Sequence, residues 1–190
     1  ALSIVAAIKA VLRSRGFAAG AHTVGYQSCD DSTAQAQSFE YEKCVSNAHL
    51  YAQNPAVVAV VGAYNSDCSM LQIPLANAAP GGPLAMVSPS NSAILLTRPS
   101  RTASKRDVDK LYPTGVRNFF RVYPADDVQA AGLALAARQL GAQRLVLLRV
   151  EGSGYADDIA SAFARSARRL RLSVVRSRTA RILSSAVSHG

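Results

Sequence analysis

Short apolar segments alternate along this chain with segments of helical character, and this alternation constrains the fold more than any other feature. Residues 57–61 (VVAVV) and 144–150 (RLVLLRV) are apolar runs of strand length. Residues 41–52 and 126–140 have the periodicity and end signals of helices. Near-continuous apolar strands separated by helices are typical of a buried parallel sheet. The sequence therefore predicts an α/β fold, a three-layer αβα arrangement around a parallel sheet.

The remaining segments continue the same alternation. Further helices are predicted over 2–15, 66–79 and 157–170, and further strands over 21–28, 84–88, 118–123 and 172–175. Residues 89–117 form a long connection, and connections of this length are usually functional or mobile. The last fifteen residues carry no clear pattern.

A proline marks the best domain boundary. Pro124 closes the strand predicted over 118–123, and a new series of helices and strands begins after it. We therefore predict an N-terminal α/β lobe over residues 1–123 and the start of a second α/β lobe over residues 124–190.

The charge is strongly basic, with 21 Lys and Arg against 12 Asp and Glu and a net charge of +9. The excess is concentrated in residues 98–106 and 165–181. Aromatic residues make up only 6% of the chain, and none alternates with the basic residues to form a stacking platform. We interpret the basic segments as solvated helix faces and predict no nucleic-acid partner.

The motifs of common enzymes and metal sites are absent. The sequence contains no GxSxG, no GxxxxGK[ST] and no CxxC, and its histidines are scattered. Its adjacent aspartate pairs diverge on any regular element, so they do not form a catalytic pair. We predict no metal, no cofactor and no catalysis; an enzyme that uses the thiol of Cys68 at a helix start is the alternative.

Hydroxyl-rich segments follow three of the predicted strands, at 62–67, 88–92 and 151–155. In open α/β sheets ligands bind beyond the carboxyl ends of the strands. Amides at helix starts, together with serine hydroxyls, suit a carboxylate. Helix capping alone, worth about 1 kcal/mol per cap, explains any single segment, but three at one edge favour binding. The candidate ligand-binding residues are Tyr64, Asn65, Ser66, Ser90, Asn91, Ser92 and Tyr155.

Several stretches taken in order resemble one family. They are VGYQSCDDST, NPAVVAVVGAYNSDCS, GPLAMVSPSNSAILLT, NFFRVYPADDVQAAGLA and LVLLRVEGSGYADDIASAF. Their order and spacing over residues 1–175 are similar to those of the type I periplasmic binding proteins, in particular the receptors for branched-chain amino acids (Leu/Ile/Val). The first strand of that family and most of its second lobe have no counterpart here, so we expect the chain to be a fragment.

The resemblance implies a non-catalytic extracellular receptor of an ABC-type uptake system, which binds an amino acid or a related carboxylate in a cleft between two lobes. Ser66 would contact the carboxylate, Ser90 and Ser92 with the Asn91 backbone would hold the carboxylate and amine, and Tyr155 would reach across from the second lobe. A membrane permease would be the partner, and the location would be extracellular or periplasmic, with or without a lipid anchor. A ligand-sensing domain of a regulatory protein with the same fold is the alternative.

The cysteines are placed where one disulfide is feasible, and the odd count leaves one thiol over. Within the resemblance, we expect Cys44 to pair with Cys29 across the loop that separates them. The usual bridge of the family implies Cys29 with Cys68 instead.

Overall fold

The computed structural model describes residues 2–35, 39–150 and 154–180. Among the described helices, none combines the length and apolarity that crossing a bilayer requires. The helices are α1 (Leu2–Ser14), α2 (Tyr41–Gln53), α3 (Ser66–Asn77), α4 (Lys105–Lys110), α5 (Asp126–Gln139) and α6 (Gly154–Arg169), with a 3₁₀ turn at Ile94–Leu96. The strands are β1 (Ala18–Ala19), β2 (His22–Thr23), β3 (Ala59–Val61), β4 (Ala85–Ser88), β5 (Phe119–Arg121), β6 (Arg144–Val150) and β7 (Ser173–Ala180).

The chain divides into two compact units. The first contains Ala1–Asn91 and Leu111–Tyr123, and the second contains Ser92–Lys110 and Pro124–Gly190. The chain therefore passes from the first unit to the second between residues 123 and 124, the position of the boundary predicted from the sequence. The chain also enters and leaves the second unit within the long connection 89–117, because Ser92–Lys110 belong to that unit.

The first unit is built on a three-stranded parallel sheet in the order β3-β4-β5. Helix α2 packs on α3, and α3 packs against β4. Met86 of β4 pairs with Phe119 of β5, and both are buried. Their neighbours on the opposite face include Phe120, which is 58% exposed. The core of this unit therefore lies on one face of its sheet.

Two predicted strands of the first unit differ from the structure. The segment 57–61 is not a buried strand, because β3 is an edge strand and Val61 is 51% exposed. The segment 21–28 forms only the two residues of β2, which pair antiparallel with β1 directly after α1. A strand is stable only beside a partner, and among the described residues 24–28 lie in no strand.

The second unit is built on the parallel pair β6 and β7, with α5 and α6 packed together. Ala134, Ala167 and Leu172 form its core, and Leu145 packs against them. Residues of β6 alternate between half-buried and exposed, and Leu148 is 76% exposed. The prediction of a buried strand over 144–150 is therefore correct for one face only.

The two helices of the second unit end in the same way. Gly141 follows α5 with φ 78° and Arg171 follows α6 with φ 58°, so both adopt the left-handed conformation. The next amide in each case, that of Ala142 or of Leu172, donates back into the last turn of its helix at 3.0 Å or 2.8 Å. This is the Schellman motif, in which glycine is the usual residue at the left-handed position.

The disulfide joins Cys44 to Cys68, whose Cα atoms are 5.4 Å apart. The expected pairing of Cys29 with Cys44 and the alternative pairing of Cys29 with Cys68 are both wrong. The physical reason is the packing of α2 on α3, which brings these two buried cysteines together. Cys29 lies outside any helix or strand, exposed and unpaired as a thiol.

Candidate functional site

Two polar segments of the first unit meet where neighbouring strands end. One runs over 62–66 after β3, and the other over 88–91 around the end of β4; together we name them the strand-end platform. Because β3 and β4 are parallel neighbours, their carboxyl ends lie at the same edge of the sheet. The hydroxyl of Ser90 donates to the Tyr64 carbonyl at 2.7 Å, which joins the two segments directly.

Ser88 fixes the turn of the second segment from inside. Its side chain is fully buried, and its hydroxyl donates to the Ala63 carbonyl at 2.9 Å. The same oxygen accepts the backbone amides of Ser90 at 3.3 Å and Asn91 at 3.1 Å. One serine therefore holds both segments of the platform.

Asn91 is the second internal anchor. Its side chain is fully buried and donates to the carbonyls of Ala63 at 3.2 Å and Tyr64 at 3.1 Å. Its Oδ1 accepts the hydroxyl of Ser69 at 2.5 Å. The backbone N–H of Asn91, which the resemblance assigned to a ligand, already donates to Ser88. The structure thus places Asn91 as a positioning residue for the 63–64 backbone.

Asn65 caps the start of α3. Its Oδ1 accepts the backbone amide of Asp67 at 2.9 Å, which is the geometry of an N-cap. Helix capping, the alternative to ligand binding, therefore explains the position of the Asn65 side chain. Tyr64 is 62% exposed, and Ser66 and Ser90 are half-buried. The groups that the platform presents outward are consequently the Tyr64 ring and these two serines.

The other two candidates belong to the second unit. The carbonyl of Ser92 accepts the amide of Asp126 at 2.9 Å, so this residue touches the start of α5. Tyr155 lies in the first turn of α6 and is 49% exposed. The predicted segment 151–155 is described only at Gly154 and Tyr155, since its first three residues lie outside the described ranges.

Carboxylates of the chain itself occupy the helix starts of the second unit. Arg98 forms an ion pair with Asp127 at the start of α5. Burial works to raise the pKa of Asp127, but the hydrogen bond and charge of Arg98 outweigh it, and the pKa is lowered. Near the start of α6, Asp158, the fifth residue of the helix, accepts the amide and hydroxyl of Thr102 at 3.0 Å and 2.9 Å. Because these helix starts already carry negative charge, they disfavour an anionic ligand.

Sequence reasoning missed the buried polar residues that hold the first unit together. Asn77 is fully buried and uses all of its hydrogen-bonding capacity: it donates to Val116 and Asn118 and accepts twice from Thr114, at 2.7 to 2.9 Å. The available signal was an asparagine after the apolar run IPLA at the end of α3. Its partners come from more than thirty residues away, so local sequence could not identify them.

A second polar cluster surrounds the aspartate after the short hairpin. Asp31 Oδ1 accepts the side-chain amides of Asn47 at 2.8 Å and Gln72 at 3.1 Å. It also lies within 4.8 Å of the sulfurs of Cys44 and Cys68, the only potential metal-ligating group found among the described residues. Because those sulfurs are bonded to each other, they offer no thiolate, and we assign no metal there.

A separate groove of about 550 Å³ runs along the surface of α2. Tyr41, His49 and Leu50 of α2 and Leu71 of α3 contribute to its lining. No residue of the strand-end platform lines it. Its lining is mostly the outer surface of α2 and includes no residue that follows a strand end, so the platform remains the better candidate.

Solved structures with the same fold are found among transport proteins. An ABC transporter substrate-binding protein from Desulfitobacterium hafniense, solved in complex with Leu, matches with a TM-score of 0.70 and 24% identity over 90% of this chain and 43% of that one. The leucine-binding protein LivK from Thermotoga maritima matches with a TM-score of 0.65 and 19% identity over 92% and 42%. A solute-binding protein from R. palustris in complex with benzoate gives 0.64 and 18% over 93% and 42%.

These likenesses establish the fold: the chain has the α/β architecture of type I periplasmic-binding-protein lobes. It spans about two fifths of the length of the structures it matches. No protein-family profile matches the sequence. No curated protein is significantly similar to it in sequence.

Proposed function

We propose that this chain is part of a non-catalytic solute-binding protein of an ABC-type uptake system, and that the strand-end platform carries its ligand-contacting surface in the first unit. The observation that supports this most is the locking of two neighbouring strand ends by Ser88 and Asn91. Preorganised polar groups at the carboxyl edge of a parallel sheet are where α/β proteins bind small molecules. The fold is shared with substrate-binding proteins whose structures hold Leu and benzoate.

The ligand class that we propose is a small molecule with a carboxylate, such as an amino acid or an aromatic acid. On binding, the half-buried hydroxyls of Ser66 and Ser90 would turn to the carboxylate as donors, Ser90 in exchange for its bond to the Tyr64 carbonyl, and the exposed ring of Tyr64 would provide a flat apolar wall. Contacts of Ser92 and Tyr155 with the same ligand remain predictions from the sequence. The platform is built from hydroxyls, amides and carbonyls without an activated nucleophile or base, which supports binding rather than catalysis.

We further propose an extracellular or periplasmic location, with a membrane permease as partner. A disulfide between two fully buried cysteines supports an oxidising compartment. In such a system the receptor delivers the ligand without changing it.

Isothermal titration calorimetry of the purified protein with leucine and with benzoate tests the proposal. The double variant Ser66→Ala, Ser90→Ala should weaken binding by about 2–4 kcal/mol, the size expected for lost hydrogen bonds to a charged group. The matched control is Ser3→Ala, Ser173→Ala, which removes two exposed hydroxyls outside the platform. Equal affinity of the two double variants for a ligand that the protein binds, or no heat from a panel of amino acids and small carboxylates, would reject the proposal.

A further inference from the structure

The end of the second unit where α5 and α6 terminate carries a group of exposed arginines. Helix α5 contributes one, β6 begins with another, and the last turn of α6 with its following loop contributes the rest. We name this group the basic end; its members are Arg138, Arg144, Arg168, Arg169 and Arg171.

Hydrogen bonds show that these arginines share one end of the unit. The guanidinium of Arg138 donates to the carbonyl of Leu170 at 2.9 Å, which links the ends of the two helices. Arg144 pairs across the sheet with Ser173, whose amide donates to the Gln143 carbonyl at 2.9 Å. The amino ends of β6 and β7 and the carboxyl ends of α5 and α6 therefore meet in one region.

Acidic residues are kept away from the basic end. The acids of α5 and α6 all lie within the first five residues of each helix, at Asp126, Asp127, Asp157 and Asp158, and β6 and β7 contain none. At 1.5 Å per residue, the first and last turns of these helices are roughly 15–20 Å apart, which exceeds the screening length of about 8 Å in physiological salt. The ion pairs in the described part of this unit involve none of the five arginines. The positive charge of the basic end is thus uncompensated within the described residues.

One of these arginines adopts a backbone conformation that disfavours residues with a side chain. Arg171 occupies the left-handed position of the motif that ends α6, with φ 58°. The equivalent position after α5 is Gly141, with φ 78°. Glycine adopts this conformation without strain, whereas a side chain resists it. An arginine at this position is explained if its charge binds a partner outside the protein.

An apolar side chain projects beside the arginines. Leu140 follows Arg138 by two residues and is 87% exposed, as much as any large hydrophobic residue described in the chain. Exposed leucine beside cationic side chains is the composition with which proteins contact lipid headgroups. None of the five arginines has an aromatic residue adjacent to it in sequence, so the stacking groups of single-strand nucleic-acid sites are missing.

We propose that the basic end docks on an anionic phospholipid surface, with guanidinium groups on headgroup phosphates and Leu140 entering the interface. Arginine is suited to this because its planar group binds phosphate through two parallel hydrogen bonds. Each basic residue near an anionic membrane strengthens attachment by about fivefold. The lipid surface would thus hold this end of the protein, at the side of the second unit remote from its helix starts.

Cosedimentation with vesicles tests the proposal. The protein should partition onto vesicles of equal parts phosphatidylcholine and phosphatidylglycerol, remain in solution with pure phosphatidylcholine, and dissociate as salt is raised. The variant Arg168→Gln, Arg171→Gly should reduce binding by about twenty-five-fold, from the charge contribution of two residues. The matched control, Arg101→Gln, Arg106→Gln, removes the same charge from exposed positions in the same unit and should retain binding.

Three results would overturn the proposal. They are equal loss in the two double variants, equal binding to the neutral vesicles, and tighter binding to duplex DNA than to anionic vesicles at the same salt concentration. Circular dichroism spectra of both variants must match that of the parent, and Arg171→Gly alone should raise the melting temperature by about 2–4 °C while lowering vesicle binding. A loss of binding together with a higher melting temperature cannot arise from unfolding.

Discussion

Ser69 and Asn91 are joined by a 2.5 Å hydrogen bond between two fully buried side chains, 22 residues apart in the chain. This bond connects α3 to the segment that follows β4. Through Asn91 it also fixes the carbonyls of Ala63 and Tyr64. The backbone of the platform at Ala63 and Tyr64 therefore depends on a residue of α3.

We expect Asn91→Ala to lower both stability and ligand affinity. It removes one of the two hydrogen bonds that each of the Ala63 and Tyr64 carbonyls accepts, and it leaves the buried Ser69 hydroxyl without its acceptor, which costs about 1–3 kcal/mol. Urea unfolding measures the first effect, and calorimetry with leucine or benzoate measures the second.

Asn77→Ala is the matched comparison for that variant. Asn77 is equally buried and makes as many hydrogen bonds, but its partners lie in residues 114–118 rather than in the platform. It should destabilise the protein to a similar degree and leave ligand affinity within twofold. Affinity reduced equally in both variants would show that Asn91 acts only through global stability.

Removal of the disulfide should destabilise the first unit. Cys44 and Cys68 are 24 residues apart, and closing a loop of that length stabilises a protein by about 3 kcal/mol in the chain-entropy description. The variant Cys44→Ser, Cys68→Ser should show this loss in urea unfolding. Cys29→Ser should stay within about 0.5 kcal/mol of the parent, because its side chain is exposed.

Thiol labelling checks the pairing itself. An alkylating reagent should modify Cys29 in the native protein and leave Cys44 and Cys68 unmodified until a reductant is added. Labelling of Cys44 or Cys68 in native, unreduced protein would contradict the disulfide seen here.

Acid should weaken the second unit through its aspartates. The pKa of Asp107 is lowered by hydrogen bonds from Lys110 and Ser104, and that of Asp127 by Arg98. A carboxyl whose pKa is lower in the folded state stabilises the fold above its ordinary pKa, near 3.8, and that stabilisation is lost as the pH falls through the lowered value. We therefore expect urea midpoints to fall as the pH is lowered from about 4 to about 2.

The variant Asp107→Asn, Asp127→Asn should flatten that part of the pH profile and lower stability at neutral pH. Asp67→Asn changes a half-buried acid of α3 in the other unit; it is the control and should keep the fall. An unchanged slope in the double variant would assign the acid sensitivity to other groups.

Exchanging the residues at the two helix ends should move stability in opposite directions. Arg171→Gly removes a side chain from the left-handed conformation and should raise the free energy of unfolding by about 1 kcal/mol. Gly141→Ala introduces a side chain into the same conformation after α5 and should lower it by about the same amount. Thermal unfolding of the two variants measures both, and a loss of stability in Arg171→Gly would contradict the strain argued for that position.

The helices were predictable because their signals are local. The periodicity of residues 41–52 and 126–140 identified α2 and α5 to within one residue at each end. Most strand positions were predictable, apart from 21–28, but strand burial was not, because exposure depends on which faces the helices cover. Leu148 reads as a core residue in sequence but lies on the face of β6 that α5 and α6 leave open.

The platform was predictable in position and less so in the role of each residue. The polar residues after β3 and β4 were predicted to lie at one edge of the sheet, and the two segments meet there, since the end of a strand is visible in sequence. Whether a side chain there faces a ligand or the interior is decided by neighbours far along the chain. Asn65 and Asn91 were both candidates for contact, yet one caps α3 and the other is buried against Ala63 and Tyr64.

The sequence by itself determined the order and type of the elements, the α/β class and the location of the hydroxyl-rich turns, because periodicity and turn chemistry act over a few residues. Tertiary structure alone decided that Cys44 meets Cys68, that Ser69 supports Asn91, and that arginines from two helices and a strand gather at one end. Each of these is a contact between segments distant in the chain, and such contacts depend on which faces of the helices pack together.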